Sequence, residues 1–203
     1  MAHLAERVHA VPVALEPVLA QAVLGADIEY THVIAHGRFH HELERYLYAP
    51  GAGDWGYHVI TPLELSDGRA VLINRGYVPR QQLDRSLRIA GLPEGDVTIT
   101  GLIRAAPAGR PWYMPAGNHV NHTWSWPEIA DIAQSMYGPD GKVITTVTVD
   151  ADRIIAAAPP AGGTTRMELS NRHLEYALTW YALAATLAGV YAFSWYRFRA
   201  QRG

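Results

Sequence analysis

Tyr57–Pro79, YHVITPLELSDGRAVLINRGYVP, decides the fold class. Two runs rich in β-branched and aliphatic residues, Tyr57–Leu65 and Arg69–Asn74, flank Ser66-Asp67-Gly68. Asp-Gly between two strand-like runs is a short-range signal for a β-hairpin, because glycine enters the positive-φ conformation a tight turn demands. The following Asn74–Pro79, NRGYVP, closes the second strand: Gly76 permits a tight backbone and Pro79, lacking an N–H, ends it.

Working outward, residues 28–40 (IEYTHVIAHGRFH), Asp96–Arg104 (DVTITGLIR) and Lys142–Asp150 (KVITTVTVD) read as further strands. Helical signal is confined to Pro17–Leu24, Gln81–Ala90 and Pro127–Tyr137. In the last, Pro127 suits the first helical position and Gly138 the stop. Residues 105–122 and 156–165 are Pro/Gly/Ala-rich loops, the second reading as a tether. The expectation is a mostly β (α+β) domain over 27–168, an antiparallel barrel or sandwich with a few helices.

The C-terminus obeys different chemistry. Tyr176–Tyr196 carries no formal charge over 21 residues, about 30 Å as a helix, which matches the hydrocarbon thickness of a bilayer. Tyr176, Trp180 and Tyr181 gather at one end and Tyr191, Trp195 and Tyr196 at the other, as in an interfacial belt. Residues 170–197 are therefore read as a transmembrane helix. Arg197, Arg199 and Arg202 follow, so the positive-inside rule makes 198–203 a cytoplasmic (or matrix-side) tail and puts the main domain outside. Ala184-x-x-x-Ala188-x-x-x-Ala192 and Ala185-x-x-x-Gly189 are small-residue spacings that allow close helix approach.

Residues 1–26 hold no apolar run long enough for a signal peptide or a span, since Glu6, Arg7, Pro12, Glu16 and Pro17 interrupt them. An outside domain needs something to export it. Residues 1–26 are accordingly read as a remnant leading from a missing N-terminal membrane helix; the alternative is a tail-anchored protein with a cytoplasmic domain.

Composition excludes several functions. Net charge is −2, which gives no footprint for nucleic acid. The chain has no cysteine, which removes disulfides, thiolate nucleophiles and Fe–S ligands; with only four methionines, soft ligands for Cu(I) are scarce too. No G-x-S-x-G, H-E-x-x-H, P-loop or G-x-G-x-x-G occurs, and the carboxylates are scattered singly, so no enzyme site is nominated. His32, His36 and His40 sit at i, i+4 spacing, but on a strand four residues span roughly 13 Å, too far to share one metal. They read as solvated strand histidines. His119 and His122 read as part of a polar loop.

His173 differs: it stands one turn before the apolar run, at the outer membrane interface. It is either an ordinary interfacial polar residue or an axial ligand to haem iron, the usual role of a neutral imidazole beside a flat apolar slot. Ala177, Ala184 and Ala188 fall within roughly 60° of it at about 100° per residue.

Val33–Phe39 (VIAHGRF), Tyr57–Leu65 with Val71–Pro79 (VLINRGYVP), Val97–Arg104, Met114–Trp126 and Asn171–Tyr181 (NRHLEYALTWY) together resemble the surfeit-locus (Surf-type) assembly factors for cytochrome c oxidase, in the wording of a bacterial, alphaproteobacterial-like member lacking its first membrane helix. The resemblance implies a non-enzymatic inner-membrane factor with a periplasmic domain that assists haem a insertion into subunit I of the oxidase. Oxidase subunit I, haem A synthase and membrane lipid are the implied partners, and haem a is the implied cofactor, with His173 at the family's haem-associated position. The rival readings are a structural chaperone for nascent subunit I that binds no haem, and a membrane-anchored enzyme with an unrecognised site.

Overall fold

The computed structural model describes residue 7 and residues 10–50, 55–152, 159–163 and 173–201. The chain divides into two units, Met1–Thr165 and Arg166–Gly203, each taken by itself below. The first is built on eight strands: β1 (Val13–Ala14), β2 (His32–Phe39), β3 (Arg45–Pro50), β4 (Trp55–Leu65), β5 (Ala70–Pro79), β6 (Asp96–Ala105), β7 (Thr123–Trp124) and β8 (Val143–Ala151). Its helices are α1 (Leu15–Val23) and α2 (Ile129–Tyr137).

Five strands close into a barrel in the order β2-β6-β8-β5-β4, the ring sealed by β2 pairing with β4 at Gly37↔Leu65 and Phe39↔Leu63. The expected barrel is therefore present, with one seam of opposite sense: β5 and β8 run parallel. A parallel pair needs a long crossover, and the more than sixty residues between these strands, which include β6 and α2, supply it. The hairpin forms where the Asp-Gly signal stands. Leu65 and Arg69 bond across it (2.8 Å), Gly68 takes φ +76°, and the Asp67 carboxylate accepts from the Arg69 N–H (2.9 Å).

β5 explains why its sequence is apolar without alternation. Val71 and Ile73 enter the barrel interior with Val33, Leu63, Ile103 and Val149; Leu72 faces the other way, against Trp124, Ile129, Ile132 and Met136 under α2. A strand buried on both faces has no reason to alternate. α1 closes the barrel core with Leu15, Val18 and Leu19, so the segment read as a lead-in from a membrane helix contributes core residues. Burying three such side chains contributes on the order of 5 kcal/mol.

Several boundaries move. The strand expected over 28–40 starts only at His32, because Tyr30 takes φ +58° in the turn before it. α1 starts at Leu15, with Pro17 inside the first turn, where no N–H is needed. α2 starts at Ile129, because the Glu128 N–H bonds back to Trp126 (2.8 Å) in a turn centred on Pro127; Gly138 ends it as expected, at φ +74°. The expected helix over Gln81–Ala90 is two 3-10 turns, Arg80–Gln82 and Arg85–Gly91, broken at Arg88 (φ −138°).

The stretch read as a free tether is pinned in its described part. Ala161 pairs antiparallel with Tyr77 (3.1 and 3.0 Å), and the Gly163 N–H bonds to Ala151 (3.0 Å). Gly76, at φ +108°, makes this possible, since a Cβ there would overlap the Ala161 carbonyl. Gly76→Ala should therefore cost about 1–3 kcal/mol from left-handed strain alone, with the steric overlap in addition. Gly68→Ala, equally left-handed but with open space around it, should cost less. Comparing the two thermal midpoints in detergent checks the ranking; equal losses would mean that the Ala161 contact carries no weight.

Candidate functional site

Among the described residues of the second unit stands one helix, α3 (His173–Ala200), whose 28 residues extend about 42 Å. Ala177–Ala200 has a mean hydropathy of 1.3 and is long and apolar enough to cross a membrane. Large apolar side chains lie exposed all round it, Leu178, Trp180, Leu183, Leu187, Val190 and Phe193 among them, with no polar stripe. The Thr186 hydroxyl donates to the Ala182 carbonyl (2.8 Å), which satisfies it inside the helix. At the basic end Arg199 stacks on Trp195 at 4.0 Å and Arg197 lies over Phe193 at 6.0 Å.

His173 is the first described residue of α3; its side chain lies outside the described residues, as do Asn171 and Arg172. Along the helix face Gly189 offers open space, with no atom within 4 Å of a Cβ placed there.

In the barrel unit the histidines take separate partners. His32 bridges the Ala10 carbonyl (2.9 Å) and the Asp152 carboxylate (2.7 Å), His36 meets Thr98 (2.7 Å), and His40 lies between Glu64 (2.6 Å) and Glu42 (3.0 Å). His119 packs edge-on against Trp124 and lies 3.3 Å from Asp131. Among the described residues no three His, Asp or Glu side chains gather into a metal-binding group. Donation of a hydrogen bond to the Glu64 carboxylate raises the His40 pKa above its ordinary 6.5; partial burial opposes it and Glu42 adds to it.

What sequence reading missed is a buried ionic cluster. Glu44, with a side chain 1% exposed, accepts from Arg88 (2.5 Å) and Arg75 (3.2 Å), both equally enclosed. Arg75 also bonds to the Gly91 carbonyl, stacks over Phe39 at 4.9 Å and lies 3.2 Å from His41 Nδ1, while His41 Nε2 meets the Pro93 carbonyl (2.9 Å). Arg85 donates to the His41 carbonyl (2.5 Å). These groups lie 31 and 44 residues apart along the chain and follow no local spacing. Only Arg75, a charged residue inside the otherwise apolar β5, hints at them. Burial works against the charge on Glu44, but the His41 ring and the two guanidiniums outweigh it and hold the carboxyl below its ordinary 4.5. Burial brings the Arg75 guanidinium down to about 10, with Glu44 opposing that shift.

Removing the acid leaves two enclosed cations without a counter-charge. Glu44→Gln should therefore cost about 3–5 kcal/mol, whereas Asp96→Asn, in an exposed pair with Arg38, should leave the midpoint unchanged. A depressed carboxyl stabilises above its unfolded pKa, and that contribution is lost as pH falls through the folded value. Wild-type melting should thus drop below about pH 4.5 more steeply than that of Glu44→Gln. The raised His40 acts in the opposite sense, contributing below pH 6.5 and fading as pH rises through its folded value. His40→Gln should remove that alkaline decline in a melting series.

Residues 1–185, the barrel unit and the first part of α3, match the SURF1 family. Surfeit locus protein 1 of Mus musculus is 32% identical, the alignment covering 91% of this chain and 63% of that protein. The Gallus gallus protein of the same name is 30% identical over 97% of this chain and 65% of its own length. The SURF1-like protein of Drosophila melanogaster is 32% identical over 85% and 60%. The chain thus spans a little under two-thirds of the length of these curated relatives. With the family matched over a barrel and the start of an apolar helix, this chain belongs to the SURF1 family.

Proposed function

We propose that this chain is a non-enzymatic, membrane-anchored assembly factor for cytochrome c oxidase that holds haem a for insertion into subunit I, with His173 as the iron ligand. The observation that carries the reading is the family match reaching into α3, the helix that contains His173, because the SURF1 family is one of oxidase assembly factors. A neutral imidazole at the junction of an aqueous domain and an apolar helix is a suitable donor for haem iron. Ala177, Ala184 and Ala188 on the same face present only methyl groups to a flat macrocycle. Haem is cargo in this reading: the protein supplies a ligand, an apolar face and shelter from water. The domain then lies in the periplasm and residues 198–203 in the cytoplasm of a bacterial inner membrane, with subunit I, haem A synthase and lipid as partners.

A second reading has its own support. Ala184-x-x-x-Ala188 and Ala185-x-x-x-Gly189, with the open space at Gly189, suit close approach of another helix. A chaperone for nascent subunit I needs that surface and no haem.

Co-expression of the full reading frame with haem A synthesis, followed by purification from membranes, separates the two. The first reading expects a haem Soret band that His173→Ala largely removes while the protein still folds. An unchanged band in the variant overturns the ligand assignment. Co-purified subunit I without pigment favours the chaperone.

A further inference from the structure

The last two turns of α3 carry charge folded back onto aromatic rings. Arg199 lies over Trp195, 4.0 Å from the ring centre, and Arg197 over Phe193 at 6.0 Å. All four side chains are exposed. Each arginine thus meets the ring four residues before it, a step of about 6 Å along the axis, because helical side chains lean toward the N-terminus. Both guanidiniums are drawn toward the apolar run and away from the helix end. From Tyr176 to Gly203 the sequence has no acidic residue, so nothing in this stretch answers their charge.

The negative end of the helix dipole lies beyond Ala200, and a long basic side chain at the end of a spanning helix gains by reaching out to it and to water. Stacking holds the charge instead at the level of Phe193 and Trp195, inside the candidate span Ala177–Ala200. A cation at that depth needs a counter-ion. The guanidinium has two surfaces to offer: its flat face rests on a ring, while its N–H groups point outward in its plane, in a fork that fits two oxygens of one phosphate. Spending the face on an aromatic ring leaves the fork for a phosphodiester. The Phe193–Arg197 and Trp195–Arg199 pairs stand about 200° apart around the helix, so they serve two headgroups on opposite faces.

We infer that the basic end of α3 is a binding site for anionic phospholipid, each ring-stacked arginine taking the phosphate of one headgroup. Charge complementarity names the occupant: two cations without an acid stand at the level where lipid phosphates are the abundant anions. A zwitterionic headgroup offers the same phosphate beside an ammonium that repels the guanidinium, so the anionic lipid is selected. This rests on the reading of α3 as a membrane anchor and holds for either orientation of the helix.

Because the chain has no cysteine, Ser194→Cys in the full-length protein gives a unique labelling position between the two ring–arginine pairs. Bimane is attached there, and the protein is reconstituted into vesicles of equal parts phosphatidylglycerol and phosphatidylcholine. The acyl chains of one lipid or the other carry bromine, a contact quencher. The expected result is quenching by both, several-fold stronger from brominated phosphatidylglycerol. Arg197→Gln with Arg199→Gln should bring the two close to equal. Arg197→Lys with Arg199→Lys should keep only part of the difference, because an ammonium has the charge without the fork. Equal quenching by the two lipids before either arginine is changed overturns the inference and leaves the anchor standing. A preference that survives both glutamines overturns it too, as does a lysine pair that matches the arginines. Quenching by neither lipid removes the anchor, and the inference with it.

Discussion

One enclosed carboxylate organises the barrel unit. Glu44 stands where the chain leaves β2 and enters β3, and it is gripped by an arginine from β5 and another from the segment after β5. It is the one counter-charge that both enclosed guanidiniums, Arg75 and Arg88, contact among the described residues. Enclosing charge is expensive, and an apolar substitute of the same shape is often as stable. The cluster is therefore better understood as a device for specificity. It accepts one arrangement of β3, β5 and residues 80–91, and mismatched packings leave a bare charge in the interior.

The barrel's closure follows from how β4 divides its outer edge. Residues Leu63–Leu65 pair with β2 and complete the ring, while Trp55–Ile60 pair with β3, which lies outside it. The irregularity between His58 and Ile60 on the β5 side falls in the β3-paired half, where a bulge lets a strand bend from one sheet into another. Alternation along β4 puts Ile60 under α2 and Leu63 inside the barrel, so two cores share one strand.

Legibility followed the range of the interaction. The hairpin, Gly76, Gly138 and the strands on either side were readable because their causes are local: a turn that needs positive φ, a helix stop, a run of β-branched residues. β3 was not read as a strand. Arg45–Pro50 is short, begins at a charged residue and draws its pairing from β4 rather than from its own pattern. The helix expected over 81–90 gave way to tertiary bonds from Arg88, which no local propensity reports. The existence of the apolar helix is legible because length and an uncharged composition specify it, while its described part runs to Ala200, past the expected end at 197. The role of His173 is another matter. The sequence places it at a helix start, and its chemistry depends on what approaches that start.

The strap at Ala161–Gly163 shortens the leash between the two units. Counted from the end of β8 at Ala151, 21 residues (152–172) precede His173; counted from the bonded Gly163, nine do. Nine residues of chain reach at most about 30 Å, against about 70 Å for 21. The two backbone hydrogen bonds at Tyr77 thus shorten the greatest reach of the chain that follows them.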